Sequence, residues 1–149
     1  MTRLRWKTHF IAFFVSGLFI VPSMWLVLDR EPPVIVEDAA YIGPWPITPG
    51  ESFYIRYSVN RKKLCPYTIQ PLIFDGASVR YVLEQQNILA AGPLGPDIYE
   101  VERTVPEGAA HGWARYSTVL EFYCNPIQRY WPVQMVTPTV RFKVERPEK

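Results

Sequence analysis

Two glutamates form the arrangement in this sequence that comes nearest to an acid–base pair. Glu100 and Glu102 are two positions apart in a stretch rich in strand-forming residues, 98–105, so both carboxyls would lie side by side on one face of a strand. Two carboxyls about 5–10 Å apart can cleave a glycosidic bond, one as the acid and the other as nucleophile or base. No neighbouring pattern indicates a cleft or a raised pKa. We therefore interpret the pair as the solvated face of a strand.

Other catalytic and metal-binding residue types are sparse. The sequence has two histidines, His9 and His111, and only His111 follows the long apolar run at 10–28. One histidine cannot form a multi-histidine metal site, and an exposed loop is the favoured interpretation of its position. No G-x-S-x-G elbow, phosphate-binding glycine loop or dinucleotide fingerprint occurs. We predict no catalytic, cofactor-binding or metal-binding residue, and a protein that is not an enzyme.

The two cysteines suit a structural bridge better than redox chemistry. Cys65 and Cys124 are too far apart for a C-x-x-C motif, and both follow the apolar run. If that side of a membrane is oxidising, they can pair. Pairing requires their Cα atoms to approach to roughly 4.4–6.8 Å. We therefore predict a disulfide between Cys65 and Cys124.

This bridge would bring two basic and aromatic segments together at one end of the domain. The residues concerned precede the first cysteine or follow the second, and they are Arg61, Lys62, Lys63, Arg129, Tyr130 and Trp131. Loops on rigid sandwiches commonly carry recognition, and Arg, Tyr and Trp are enriched at binding hot spots. We predict that these residues bind a protein partner or an anionic component of the cell envelope. The alternative is a solvated loop whose two aromatic rings cover the edge of the core.

The apolar run from Phe10 to Leu28 is the strongest indication of where the protein resides. It contains no charged residue across 19 positions, and as a helix it would be roughly 28 Å long, close to the ~30 Å hydrocarbon core of a bilayer. Three basic residues and no acidic one precede it, which is the positive-inside pattern. We predict a cytoplasmic N-terminus at 1–9, a transmembrane helix at 10–28, a linker at 29–33 and an external domain at 34–149.

Two alternatives to this signal-anchor stay open, a cleaved signal peptide and a buried helix of a soluble protein. A signal peptide has a shorter apolar section of about 7–15 residues with small residues at its cleavage site, whereas 24–28 extends the run and no A-x-A follows. In a Gram-negative bacterium the predicted topology places the domain in the periplasm. The chain beyond the run is nearly neutral, so we expect no nucleic acid partner.

Short alternating segments separated by turns indicate the fold of the external part. Apolar residues alternate with polar ones in 52–59 and 114–124, and Asp75-Gly76 marks a turn between 67–74 and 79–83. Further strands are predicted at 34–36, 98–105, 133–136 and 139–144, with a loop at 87–97. We predict an all-β, immunoglobulin-like two-sheet sandwich of about seven strands. Trp45, between two prolines, is expected to plug the bottom or side of this sandwich, with a role in binding as the alternative.

A resemblance to a known group of proteins covers most of the external domain. It rests on the order Pro49-Gly50, Tyr57-Ser58-Val59, Arg61, Cys65, Asp75-Gly76, Pro106, Gly108, Gly112, Tyr116 and Cys124-Asn125. This order resembles small uncharacterised membrane-anchored proteins of bacterial and phage genomes, which implies the sandwich fold and an envelope or phage setting. The function we expect is a non-enzymatic, membrane-anchored interaction or scaffold module. A phage virion structural component and a cell-wall-acting enzyme are the alternatives.

Overall fold

A helix, a short linker and a β-sandwich make up the part of the chain that the structure describes. The computed structural model describes residues 17, 18, 20–90 and 92–145, with helical backbone at 17, 18 and 20–28. The predicted cytoplasmic segment 1–9, positions 10–16 and 19 of the predicted transmembrane helix, and the last four residues of the chain lie outside these ranges. None of the helical segments within them has the length and apolarity that a bilayer crossing needs.

Nine antiparallel strands within the described ranges form two sheets that pack face to face. The strands are β1 (Val34–Ile42), β2 (Ser52–Arg61), β3 (Tyr67–Phe74), β4 (Arg80–Val82), β5 (Gln86–Ile88), β6 (Gly95–Thr104), β7 (Gly112–Phe122), β8 (Val133–Val136) and β9 (Val140–Val144). The first sheet has the order β1–β2–β6. In the second sheet β3 pairs with β7, β4 and β5 both pair with β3, and β8 and β9 both pair with β7. The prediction of an all-β two-sheet sandwich is confirmed.

Each outer column of the second sheet is interrupted and therefore consists of two short strands, of which only β5 was not predicted. Between β8 and β9 the chain leaves the ladder at Thr137, whose side-chain Oγ1 accepts the backbone N–H of Thr118 at 3.0 Å. The gap between β4 and β5 lies opposite Gln70 and Pro71 of β3, and a proline removes one ladder donor. Counted as columns, the two sheets contain seven, which agrees with the prediction of about seven strands.

Several predicted strand boundaries were wrong, because a bulge in one strand and glycine or polar residues in two others interrupt the alternation of apolar and polar positions. β1 runs to Ile42 rather than ending at 36, and its register shifts between Val36 and Asp38. Such a bulge breaks the alternation that marks a strand in sequence. β6 begins at Gly95 rather than 98, and β5 lies largely inside the predicted 87–97 loop. In both places glycine or a short run of polar residues gives no alternation of apolar and polar positions from which a strand could be predicted.

The core lies between the sheets and is built from the alternating residues of the long strands. β2 and β7 contribute Phe53, Ile55, Tyr57, Val59, Ala114 and Tyr116, all buried. A chain of hydroxyls also crosses this core, from Tyr57 to Thr118 at 3.2 Å and from Thr118 to Tyr116 at 3.0 Å. Burial, above all, raises the pKa of Tyr57, so its hydroxyl stays protonated and can donate. The network therefore ties one sheet to the other through satisfied polar groups.

The two ends of the sandwich differ. At one end, here called the linker end, β1 starts beside the last residue of β2, with Val34 paired to Arg61. At the opposite far end, Trp45 is 54% exposed and its ring lies 5.7 Å from that of Trp113. The expectation that Trp45 plugs the sandwich was wrong. Ile47, fully buried and bridged to Val144, takes that position.

One buried carboxylate holds the far end together. Oδ1 of Asp75 accepts the backbone N–H groups of Ala77 and Val79 at 2.9 and 2.8 Å, and Oδ2 accepts that of Ala110 at 2.9 Å. Burial favours the neutral acid, but these three backbone N–H groups outweigh it and lower the pKa of Asp75. The side chain thus joins the β3–β4 turn to the loop between β6 and β7.

Stability should consequently depend on the charge of Asp75. Since its pKa is lower in the folded than in the unfolded chain, its contribution is complete above about pH 4 and is lost as the pH falls through the folded value. Asp75→Asn retains one acceptor oxygen but turns an amide N–H toward that of Ala110. We expect a loss of about 1–3 kcal/mol at pH 7, and a smaller fall in stability between pH 5 and pH 2 than in the wild type.

Thermal unfolding at pH 7 and at lower pH measures both effects. Asp38→Asn is the matched control, because Asp38 is exposed on β1. Equal losses in the two variants would contradict the role given to Asp75.

Candidate functional site

The predicted disulfide is present at the linker end. Cys65 and Cys124 are bonded with their Cα atoms 4.8 Å apart, and no described cysteine is free. The bond links the segment after β2 to the segment after β7, which brings the two halves of the predicted basic and aromatic surface to the same end of the sandwich. The pairing prediction is confirmed.

Arg61 does not lie on an exposed basic surface. The strand was predicted to end at 59, before the three basic residues. In the structure β2 continues through Arg61, which alternates with exposed positions as Tyr57 and Val59 do and therefore points inward. Its side chain forms an ion pair with Asp97, and its guanidinium lies 5.4 Å from the centroid of the Tyr99 ring. Burial raises the pKa of that tyrosine to about 12. Arg61 therefore neutralises a partly buried carboxylate within the fold.

Lys62 and Lys63 are exposed, but their charges are engaged with the linker. The Nζ of Lys62 pairs with Glu31, and that of Lys63 lies 3.0 Å from a carboxylate oxygen of Asp29. The hydrogen bond and charge of Lys62 lower the pKa of Glu31. The backbone N–H groups of both lysines also donate to the carbonyl of Pro33, at 2.8 and 3.1 Å. Two backbone bonds and two ion pairs thus fasten the linker along this side.

The segment after Cys124 binds the linker from the other side through two amide side chains. Asn125 begins a short 3-10 helix, Pro126–Arg129, by accepting two of its backbone N–H groups through Oδ1, and its Nδ2 donates to the carbonyl of Leu26 at 3.2 Å. Gln128 is 2% exposed. Its Oε1 accepts the N–H of Cys124 at 2.7 Å and its Nε2 donates to the carbonyl of Asp29 at 2.8 Å. Gln128 therefore connects the disulfide directly to the linker.

Arg30 of the linker completes the contact. Its guanidinium lies 4.0 Å above the Trp131 ring and donates to the carbonyls of Trp131 and Pro132 at 3.2 and 2.9 Å. Trp131 is still 56% exposed and Tyr130 is 93% exposed. Arg129 is exposed as well. The predicted aromatic and basic residues on this side are thus only partly used by the fold.

Together these side chains form what we call the linker cradle, which consists of Lys62, Lys63, Asn125, Gln128 and Trp131. Three of the six predicted binding residues, Lys62, Lys63 and Trp131, contact the linker. Arg129 and Tyr130 are exposed beside Gln128 in the chain without a linker contact, and Arg61 is buried. Sequence reasoning missed Asn125 and Gln128. Asn125 followed by a proline is a helix-capping signal, and the acidic residues of the linker face a basic run of opposite sign. The arrangement can bind and position a chain segment.

The carboxylates and the histidine considered for catalysis lie elsewhere. Glu100 and Glu102 are on the exposed face of β6, as predicted, and Glu100 is paired with Arg56 at 2.8 Å. His111 is exposed at the far end, also as predicted. Across 17, 18, 20–90 and 92–145, no group of three or more His, Cys, Asp or Glu side chains could hold a metal ion.

A glutamate in place of Gln128 should release the linker but keep the hydrogen bond that the side chain accepts from the N–H of Cys124. Gln128→Glu retains an acceptor for the N–H of Cys124 but sets a carboxylate against the carbonyl of Asp29. Since a buried acceptor facing an acceptor is strongly unfavourable, we expect trypsin to cut after Arg30 several-fold faster in the full-length chain. Gln134→Glu makes the same change on the exposed side of β8 and should leave the cutting rate unchanged. Equal rates in all three proteins would contradict the cradle.

Comparisons with known proteins identify no relative by sequence. No family model matches the chain, and no curated protein matches it either. Among solved structures, one match is the CARDB domain of a Pyrococcus furiosus protein in complex with di-metal ions. It is 11% identical, covers 72% of this chain and 84% of that domain, and has a TM-score of 0.39.

Proposed function

We propose that the protein is a non-enzymatic, membrane-anchored interaction or scaffold module of a bacterial envelope, encoded by a bacterium or a phage. The N-terminus would lie in the cytoplasm and the sandwich in the periplasm. The observation that carries this proposal is the linker cradle. A domain that binds the chain at its exit from the apolar run, through contacts from Leu26 to Pro33, is held at a defined position relative to that run.

The surface of the helix supports the membrane part of the proposal. Its large apolar side chains are between 57% and 68% exposed at five positions before the linker: Leu18, Ile20, Val21, Met24 and Trp25. Exposed apolar surface of this extent requires a cover, and lipid provides one. Leu28, the last residue of the run, is also 68% exposed. The cradle binds the backbone and the charges after the helix and leaves its apolar side chains uncovered.

Tyr130, Trp131 and Arg129 are the remaining candidates for binding at this end. In the chain they follow Asn125 and Gln128, whose side chains bind the carbonyls of Leu26 and Asp29, so in an anchored protein they would lie close to the outer leaflet. Amphipathic aromatic rings favour the membrane–water interface, and arginine favours anionic head groups or a protein partner there. Their exposure supports a role in partner contact beyond holding the linker.

Membrane fractionation combined with protease access tests the proposal. The full-length chain, carrying an epitope tag at its C-terminus, is expressed in a Gram-negative host. We expect the protein to stay in the membrane pellet after alkaline carbonate extraction, and the tag to be removed by protease added to spheroplasts. A cytoplasmic protein of the same cells should keep its own tag. Release by carbonate, or a protected tag, would overturn the proposal.

A further inference from the structure

We propose that copies of this chain associate side by side in the membrane, with the outer face of the second sheet of one copy against the outer face of the first sheet of the next. The inference rests on the proposed anchoring, which gives all copies one orientation. The evidence for this association is that the two outer faces of the sandwich carry opposite charges.

The outer face of the second sheet has a basic row at its far end. Arg80, Phe74, Arg115 and Arg141 are cross-strand neighbours on β4, β3, β7 and β9, and the three arginines are exposed. Within the described ranges none of these arginines has a carboxylate partner; Arg115 lies over the Phe74 ring, 5.5 Å from its centroid. Like charges directly opposite each other destabilise a sheet. An external anion would relieve this repulsion between Arg115 and Arg141.

The outer face of the first sheet has the opposite sign. Asp38, Glu100 and Glu102 lie on its exposed positions, and Arg56 neutralises only Glu100. Asp38 and Glu102 have no cation partner among the residues that the structure describes. The two outer faces of one molecule are therefore complementary to each other, which suits a head-to-tail contact between identical chains.

Glu102 lies at nearly the level of the basic row along the strands, whereas Asp38, in register with Ser58 and Ile98, lies four residues nearer the linker end. Arg103, next to Glu102, donates to the Tyr116 hydroxyl at 3.1 Å across the core, and Tyr116 is next to Arg115. The levels of Glu102 and Arg115 thus differ by about two residues, or roughly 7 Å. Copies that share one orientation in one membrane would therefore bring Glu102 of one copy within reach of Arg115 of the next, and Asp38 would add negative charge nearer the membrane.

Exposed apolar residues accompany the charges on both faces. Tyr54 and Ile98 are 43% and 67% exposed on the first sheet, and Val82 and Val136 are 56% and 62% exposed on the second. A face about three strands wide and about ten residues long covers roughly 450 Å². This area is at the low end for protein interfaces, so the contact should be weak in solution and depend on confinement to a membrane.

Charge reversal on each face tests the proposal in the full chain. Two populations with donor and acceptor fluorophores at the C-terminus are reconstituted together in lipid vesicles, and energy transfer reports association. We expect Arg115→Glu with Arg141→Glu, and separately Asp38→Lys with Glu102→Lys, to reduce transfer to background. A mixture of these two variants should restore it, because each then offers a face complementary to the other. Glu107→Lys changes an exposed residue of the loop between β6 and β7, outside both sheets, and should behave as the wild type.

The results of this experiment show whether the basic row binds a second copy of the chain or a different anionic partner. Unchanged transfer in both variants overturns the proposal, as does a mixture that stays at background. Loss in the basic-row variant alone would indicate a different anionic partner and overturn it too. Wild-type transfer should also weaken between 0.1 M and 1 M salt, where the screening length falls from about 10 Å to about 3 Å. Recovery of each protein with the vesicles is measured first, so a failure of anchoring is distinguished from a failure of association.

Discussion

Replacing Cys124 by serine is expected to lower the free energy of unfolding by roughly 4 kcal/mol, because the bond closes a loop between residues 59 positions apart. For a domain of this size such a loss corresponds to a fall of at least about 10 °C in Tm. The bond also fixes the segment that carries Asn125 and Gln128. The variant should therefore lose the linker contacts at a lower temperature than the rest of the sandwich unfolds.

Calorimetry of the oxidised wild type and of Cys124→Ser measures this difference. Cys65→Ser is the matched control and should unfold at the same temperature as Cys124→Ser, since each removes one bond and leaves one thiol. Wild type treated with a reductant should approach both. An unchanged Tm, or two free thiols on titration of the native protein, would contradict the structural role of the bond.

Gly76→Ala is expected to destabilise the domain by about 3 kcal/mol, in the range of overpacked cores. A Cβ at Gly76 would lie 2.2 Å from the carbonyl oxygen of His111 and 2.9 Å from the Cα of Gly112. These atoms belong to the backbone and cannot turn aside as a side chain does. The β3–β4 turn and the loop before β7 would have to separate, which would also pull Ala110 away from Asp75.

A glycine in the same loop supplies the control. A Cβ at Gly108 would have its nearest neighbour, the hydroxyl of Tyr81, at 3.7 Å, which is an ordinary contact. Gly108→Ala should be neutral or stabilise the protein by up to about 1 kcal/mol through the unfolded state. Chemical denaturation of the two variants gives the comparison. Equal free energies of unfolding in the two variants would contradict the prediction that a Cβ at Gly76 forces the two loops apart.

The strands were predictable from the sequence where one face of the strand is buried and the other is exposed to solvent. In β2 and β7 this alternation is continuous, and both strands were identified to within two residues of their ends. The same rule places Arg61 inside, because it continues the parity of Tyr57 and Val59. Reading its charge as the end of the strand gave the wrong position. The alternation along a strand can place even a charged side chain inside when a partner of opposite charge, here Asp97, lies on the neighbouring strand.

The linker cradle was beyond sequence reasoning for a different reason. The bridge between Cys65 and Cys124 brought the correct segments together, but the site depends on contacts between positions about 100 residues apart. Asn125 binds Leu26 and Gln128 binds Asp29 through backbone carbonyls. A carbonyl is present at every residue and leaves no signature in sequence. The acidic residues at 29 and 31 were the one available sign that the basic run has a partner within the chain.

Hydrogen exchange at the backbone amides of Lys62 and Lys63 tests most directly whether the domain binds its own linker. Both amides donate to the carbonyl of Pro33, and the full-length chain in lipid vesicles is the appropriate sample. We predict protection comparable to that of the amides within β2, and its loss in Gln128→Glu while β2 stays protected. Exchange at the rate of an unstructured peptide in the wild type would contradict the account, because the linker would then be free of the domain.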